Sequence, residues 1–251
     1  MPSVGNAAAG DSDLRVGVMT SSIEAGGAMC EVRDCGQMGY LQAFELQREL
    51  VEQRKRGEIA DQLLYVEHPH VVTMGRNGHG ENLLASPELL GRAGIDFQTT
   101  NRGGDVTYHG PGQVVCYPIF DLRDWKRDVV AYVRGLEDVL IGTLAAFGIE
   151  GSTVPGATGV WVARDVSGAA LPQPAKVAAI GVHVSRWVTS HGFALNVDTD
   201  LSYFRYIVPC GLTKPVTSMQ TLGCRASRAE VVDTLSGNFG RVFGRKIQTL
   251  N

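Results

Sequence analysis

From Tyr40 onward, Tyr40, Ala43, Phe44, Gln47, Leu50 and Val51 recur at i, i+3, i+4 and i+7, which predicts an amphipathic helix ending near Gly57. A second helix is predicted by Val129, Tyr132, Val133, Leu136, Leu140, Leu144 and Phe147 on one face, with Gly148 as its stop. The last helix opens on Ser227 with Glu230 three residues on, a capping box, and carries Val231, Leu235, Phe239 and Val242 as far as Gly244. Ser86-Pro87 offers an N-cap and a proline at the first helical position, so a short helix starts there. Strands are predicted at 62–67, 95–100, 114–120, 159–163 and 176–184, where β-branched and aromatic residues cluster, and 187–197 reads as an antiparallel return. Pro172 and Pro174 are assigned to a loop between two of them.

Residues 1–29 are rich in Gly, Ala and Ser without a sustained period, so they are expected to form a disordered tail, with one catalytic domain over 30–251. The strands are grouped between helices and show no regular βαβα alternation. An α+β fold, a mixed sheet with flanking helices, is therefore favoured over a doubly wound one.

Composition narrows the function. The chain has 251 residues, 44% of them hydrophobic and 20% charged, with a net charge of −3. A chain of this size buries enough surface to hold a core without disulfides or a structural metal. Its five cysteines, Cys30, Cys35, Cys116, Cys210 and Cys224, are an odd number that suits a reducing compartment and directs attention to a reactive thiol. The longest nearly apolar stretch, 139–149, falls short of the roughly 18–20 residues of a bilayer span. No basic region precedes an apolar one at the N-terminus, where the first cation is Arg15, so a cytoplasmic location is expected. The mildly acidic balance gives no footprint for nucleic acid, and Arg54-Lys55-Arg56 reads as the solvated end of a helix.

Three candidate sites are weak. Gly75-Arg76-Asn77-Gly78-His79-Gly80 suggests a phosphate loop but lacks a Gly-Lys-Ser/Thr ending. His68, His70, His79 and His109 show neither helical i, i+4 spacing nor an accompanying cysteine pair, so no metal is expected. Cys30 and Cys35 are separated by four residues, not by the two of a redox dithiol. The segment from Arg102 to Gln113 is stronger: it packs four glycines among hydrogen-bonding groups just before a strand, which lets a ligand approach backbone N–H groups.

That segment, RGGDVTYHGPGQVVCYP, resembles the signature of lipoyl(octanoyl) transferases, and AKVAAIGVHVSRWVTSHGFALNV and IVPCGLTKPVTSM extend the resemblance in the same order. The resemblance runs from about Cys35 to the last helix. It implies the α+β fold of biotin and lipoate protein ligases, and transfer of an octanoyl group from octanoyl-acyl carrier protein to a lysine of an acceptor domain. The implied acceptors are the lipoyl domains of 2-oxoacid dehydrogenase complexes and the glycine cleavage H protein. The resemblance puts the family's acyl-thioester nucleophile on Cys210 and its partner lysine on Lys176. It puts substrate contacts on Arg102, Gly103, Gly104, Asp105, Val106, Thr107, Tyr108 and His109, on Ala178, Ala179 and Ile180, and on Gly192, Phe193 and Ala194. Family members commonly have leucine at Phe193 and often a basic residue at His183, departures that bear on the acyl pocket and on local charge.

The implied chemistry is self-consistent. A free thiol near pKa 8.5 is only a few per cent thiolate at pH 7, and an adjacent lysine lowers that pKa. Exchange between two thioesters needs no nucleotide, so neither ATP nor another cofactor is expected; phosphopantetheine arrives on the carrier. Backbone N–H groups near Cys210 and Gly211 or in the glycine-rich segment are candidate oxyanion donors, with His109 either holding the loop or donating directly. Two other readings remain open at this point: an ATP-dependent lipoate or biotin ligase, which tolerates loss of Cys210, and a noncatalytic acyl- or carrier-binding module.

Overall fold

The clusters of β-branched and aromatic residues build an eight-stranded mixed sheet in the computed structural model, which describes residues 28–209 and 214–250. In chain order the strands are β1 (Met29–Gln37), β2 (Asp61–Glu67), β3 (Val71–Met74), β4 (Asp96–Thr99), β5 (Val106–His109), β6 (Gln113–Ile119), β7 (Gly151–Val154), β8 (Ala157–Arg164), β9 (Ala170–Ser185), β10 (Val188–Asn196) and β11 (Lys246–Thr249). The large sheet runs β11-β1-β2-β6-β10-β9-β8-β7, and β4-β3-β5 form a separate small sheet. Strand β1 is parallel to β2 and β11; from β2 through β6, β10, β9 and β8 to β7 the pairing is antiparallel. The expected α+β fold with a mixed sheet and flanking helices is what the structure has.

The helices form where the pattern and caps predict. Helix α1 spans Tyr40–Lys55, and α2 spans Pro87–Arg92 with Ser86 Oγ accepting from Leu89 N. Helix α3, Val129–Ala146, is capped by the Asp128 carboxylate, which accepts from Ala131 N. Helix α4, Arg228–Phe243, starts on the Ser227–Glu230 capping box and ends on Gly244 in the left-handed conformation. Leu136, Leu140 and Leu144 of α3 and Leu235, Phe239 and Phe243 of α4 join the main core against one face of the sheet. Leu50 and Val51 of α1 pack with Leu64, Val115 and Tyr117 in a second core cluster.

Two expectations are corrected. The disordered tail was expected to reach residue 29; residues 1–27 lie outside the described residues, but Met29 opens β1 and the Ala28 carbonyl accepts from Lys246 N at 3.0 Å. The loop expected around Pro172 and Pro174 is instead the first part of β9. Strand β10 accompanies β9 only from Ala178 to Ser185, so both prolines lie beyond its reach, where a missing N–H costs no ladder bond on that side.

Candidate active site

The two glycine-rich segments, separate in the sequence, form one structural unit. The N–H groups of Gly75, Arg76 and Asn77 donate to the carbonyls of Asp105, Arg102 and Gly104 at 3.0–3.2 Å. Gly78 N donates to the Gly75 carbonyl, and His79 N to the Asp105 carboxylate. With those donors spent, 75–79 is no phosphate cradle; it is the backing of the 102–105 loop. Gly75 has to be glycine, since a Cβ there would stand 2.4 Å from the Gly104 carbonyl oxygen. The Asp105 carboxylate also accepts from Val106 N and from the Asn82 amide. Arg102 grips β3 through Thr73, its Nη2 donating to the Thr73 carbonyl at 2.7 Å and to Oγ1 at 2.9 Å. Gly103 N donates to the Val182 carbonyl, hooking the loop onto β9.

This loop closes over β9 and β10 to leave an apolar cavity of about 480 Å³ including its open mouth. Arg102, Gly104, Asp105, Thr107, His109, Ala179, Ile180, Gly192, Phe193 and Ala194 line it. A smaller cavity, about 310 Å³ on the same measure, shares Thr107, Ala179 and Ala194 with it and adds Tyr108, Ala178, Lys176 and Pro209. Gly103 and Val106 line neither: Gly103 makes the bond to Val182, and Val106 is buried in a small core cluster with Val72, Leu90 and Ile207. Sequence reasoning did not single out Tyr40, Tyr117, Gly181 and His191 in the larger cavity, or Asn196 and Phe204 in the smaller; Gln113, the last residue of the glycine-rich segment, lines the smaller one. His191 and Asn196 lie within the quoted stretch SHGFALN, so that motif was the signal.

Lys176 is buried on β9, its Nζ donating to the Thr158 carbonyl at 3.0 Å and standing 4.8 Å from the centroid of the Trp161 ring. Its main chain holds the segment after residue 213: Lys176 N donates to the Pro215 carbonyl, and Thr217 N donates to the Lys176 carbonyl, each at 2.9 Å. Cys210, with Gly211, lies outside the described residues. Among the described cysteines, burial pushes the Cys30 and Cys116 thiols well above the usual range, and burial raises Cys35 as well.

A directed chain of amides links this lysine to the larger cavity. Asn196 Nδ2 donates to the Thr217 carbonyl, Gln113 Nε2 donates to Asn196 Oδ1 and to the Tyr108 carbonyl, and Gln113 Oε1 faces His109 Nδ1 at 3.0 Å. Backbone carbonyls only accept, which fixes both amides and makes His109 Nδ1 the donor. Burial, with His68 and Arg102 nearby, lowers the His109 pKa to about 3, so the ring is neutral and its Nε2 carries no proton. Of its two expected roles, holding the loop fits and direct donation to an oxyanion through Nε2 does not. His68 is neutral as well, lowered to about 4 by burial, donating from Nδ1 to the Met38 carbonyl and accepting from the Tyr117 hydroxyl. Among the described residues no His, Cys, Asp or Glu cluster could hold a metal ion.

The catalytic-domain family of lipoyl protein ligases A and B matches residues 39–240. An octanoyltransferase of Solibacter usitatus is 62% identical over 214 residues, 85% of this chain and 93% of the relative. One from Koribacter versatilis is 51% identical over 223 residues, 87% of this chain and 86% of its own. The chain belongs to the lipoyl(octanoyl) transferase family. Members of this family are acyltransferases, and the chain is an enzyme of that class. A solved structure of lipoate-protein ligase A bound with ATP overlays with a TM-score of 0.68 at 14% identity, covering 90% of both chains. A putative lipoate protein ligase from T. acidophilum with bound lipoic acid gives 0.66 at 13%, again covering 90% of each. These likenesses show that lipoyl(octanoyl) transferases and lipoate ligases share a fold. Among the described residues no helix is long and apolar enough to cross a membrane.

Proposed function

We propose that the chain transfers an octanoyl group from octanoyl-acyl carrier protein to a lysine of lipoyl domains, including those of 2-oxoacid dehydrogenase complexes and the glycine cleavage H protein, through a thioester on Cys210. The observation that carries this reading is that the chain on both sides of 210–213 meets Lys176. Pro209 lines the same small cavity as Lys176, and Pro215 and Thr217 bond its main chain. That cavity shares walls with the apolar one, so a thioester carbonyl beside the lysine has an alkyl-lined space behind it.

In the first step the Cys210 thiolate attacks the thioester carbonyl. The carbon–sulfur bond to pantetheine breaks, and the departing thiolate takes a proton from the Lys176 ammonium. Lys176 is then neutral. In the second step the acceptor's amine attacks the Cys210 thioester, its surplus proton passes to Lys176, and the thiolate leaves, which restores the starting ion pair. A base is useful because an exposed lysine of pKa about 10.4 is only about 0.04% unprotonated at pH 7. The energy is already in the thioester, so no nucleotide enters.

Intact mass spectrometry after mixing the protein with octanoyl carrier protein and no ATP tests the reading. An added octanoyl group, released by hydroxylamine and lost in Cys210→Ser, is the expected result. Transfer that requires ATP, or that proceeds at the wild-type rate in Cys210→Ser, would overturn it.

A further inference from the structure

The apolar cavity ends at a histidine whose backbone is turned the wrong way for its strand. Strand pairing sets Ala179 opposite Ala194, Gly181 opposite Gly192 and Val182 opposite His191. Alternation along a pleated strand assigns His191 to the face of Phe193 and Leu195, which belong to the main core. Its φ is instead +54°, and its ring lies against Phe44 at 5.7 Å and Tyr117 at 6.3 Å between centroids, on the α1 side. A left-handed conformation at a non-glycine residue costs energy, and this one delivers an imidazole into the cavity.

Three groups hold it there. Asn101 Oδ1 stands 2.7 Å from His191 Nε2, Gln47 Oε1 accepts from His191 N at 2.8 Å, and Phe44 stacks on the ring. Asn101, Gln47 and Phe44 also line a broad open groove under α1, on the far side of the histidine. The ring and its holders thus separate a narrow apolar cavity from a large solvent-open one.

We propose that His191 is the end wall that sets the acyl length this enzyme accepts. The inference rests on the acyl-transfer reading above. From the Ala179–Ala194 pair, shared by both cavities, to the Val182–His191 pair is three residue steps, about 10 Å of strand. A straight eight-carbon chain spans about 9 Å at ordinary carbon–carbon bond lengths. An octanoyl tail therefore fills the distance, and a longer tail meets the ring.

His191→Gly removes the wall and suits the positive φ, so the strand keeps its path. The test measures kcat/KM for carrier proteins charged with six to fourteen carbons, with a lipoyl domain as acceptor. Wild type is expected to fall away beyond eight carbons. In His191→Gly each further CH₂ that finds space is favoured about fourfold, so preference for decanoyl over octanoyl rises roughly tenfold or more. Asn101→Ala, which frees the ring without removing it, is expected to shift the profile the same way by less, and it serves if the glycine variant does not fold. An unshifted profile in a variant that melts as wild type does would overturn the proposal. Calorimetric binding of free octanoate and dodecanoate to both proteins reads the same wall without turnover. If wild type transfers no acyl group at all, the acyl-transfer reading fails, while the binding pair still decides the wall.

Discussion

Gln113 Nε2 donates to Asn196 Oδ1 at 3.0 Å, and this bond joins the apolar cavity to the segment that passes Lys176. Replacing Asn196 by Leu leaves the Thr217 carbonyl without its side-chain partner in a buried place. A loss of about 1–3 kcal/mol in urea denaturation is expected, the usual cost of an unpaired buried group. Because Thr217 also donates to Lys176, kcat is expected to fall further than the stability loss explains; an unchanged kcat in the folded variant would show that the amide chain does not position the lysine.

The buried histidines make stability depend on pH. His68 is lowered to about 4, and His109 and His191 to about 3, in each case first by burial, whereas an unfolded histidine titrates near 6.5. The unfolded chain therefore takes up protons as pH falls from 6.5 toward 4 while the folded one does not. Stability is expected to drop by up to about 1.4 kcal/mol per pH unit for each such histidine in that window. Asp34 and Asp121, held below the usual carboxylate range against burial by their bonds to Arg228 and Arg123, lose their contribution at lower pH. Denaturation midpoints measured between pH 7 and 4.5 check this, and His68→Asn should show a slope smaller by one proton. A flat profile would mean these rings are charged in the folded state.

The sequence showed α1, α3 and α4 because apolar residues at 3.6 spacing and local caps at Asp128 or Ser227 do not depend on distant partners. It did not show β7 or β11, four residues each with no fully buried position: β7 is a strand only as the short outer arm of a hairpin with β8, and β11 pairs with β1, more than 200 residues away. Strand β5 was hidden inside the glycine-rich segment, since its pairing with β3, some 35 residues earlier, makes it a strand. The motifs pointed to the walls of the cavity, but not to Tyr40, which reads as an ordinary helical core residue, nor to the backbone reversal at His191.

Gly75 and Gly80 offer a paired test of the joined glycine-rich segments. A Cβ on Gly75 would also stand 2.8 Å from Arg102 Nη1, whereas one on Gly80 meets nothing within 4 Å. Gly75→Ala is expected to push the 102–105 loop from its backing, costing about 1–3 kcal/mol as overpacking does, and to raise KM for the acyl donor. Gly80→Ala should leave stability within about 0.5 kcal/mol of wild type. Equal behaviour of the two variants in thermal denaturation and kinetics would rule out the close approach as the reason for glycine at 75.

Trp161 is the side chain through which Lys176 can be tuned without touching the lysine. The centre of its ring is 4.8 Å from Lys176 Nζ and 5.1 Å from Lys214 Nζ, so the lysine that lines the smaller cavity and Lys214 share one indole. The hydrogen-bond partner of Lys176 Nζ among the described residues, the Thr158 carbonyl, is main chain and stays in every variant. A cation over an aromatic face is held by about 0.5–2 kcal/mol, so Trp161→Leu is expected to lower kcat by roughly two- to thirtyfold with less effect on KM. Trp161→Phe keeps an aromatic face and should recover part of the loss. If both variants fold and lose kcat equally, the volume of the indole matters rather than its hold on the ammonium.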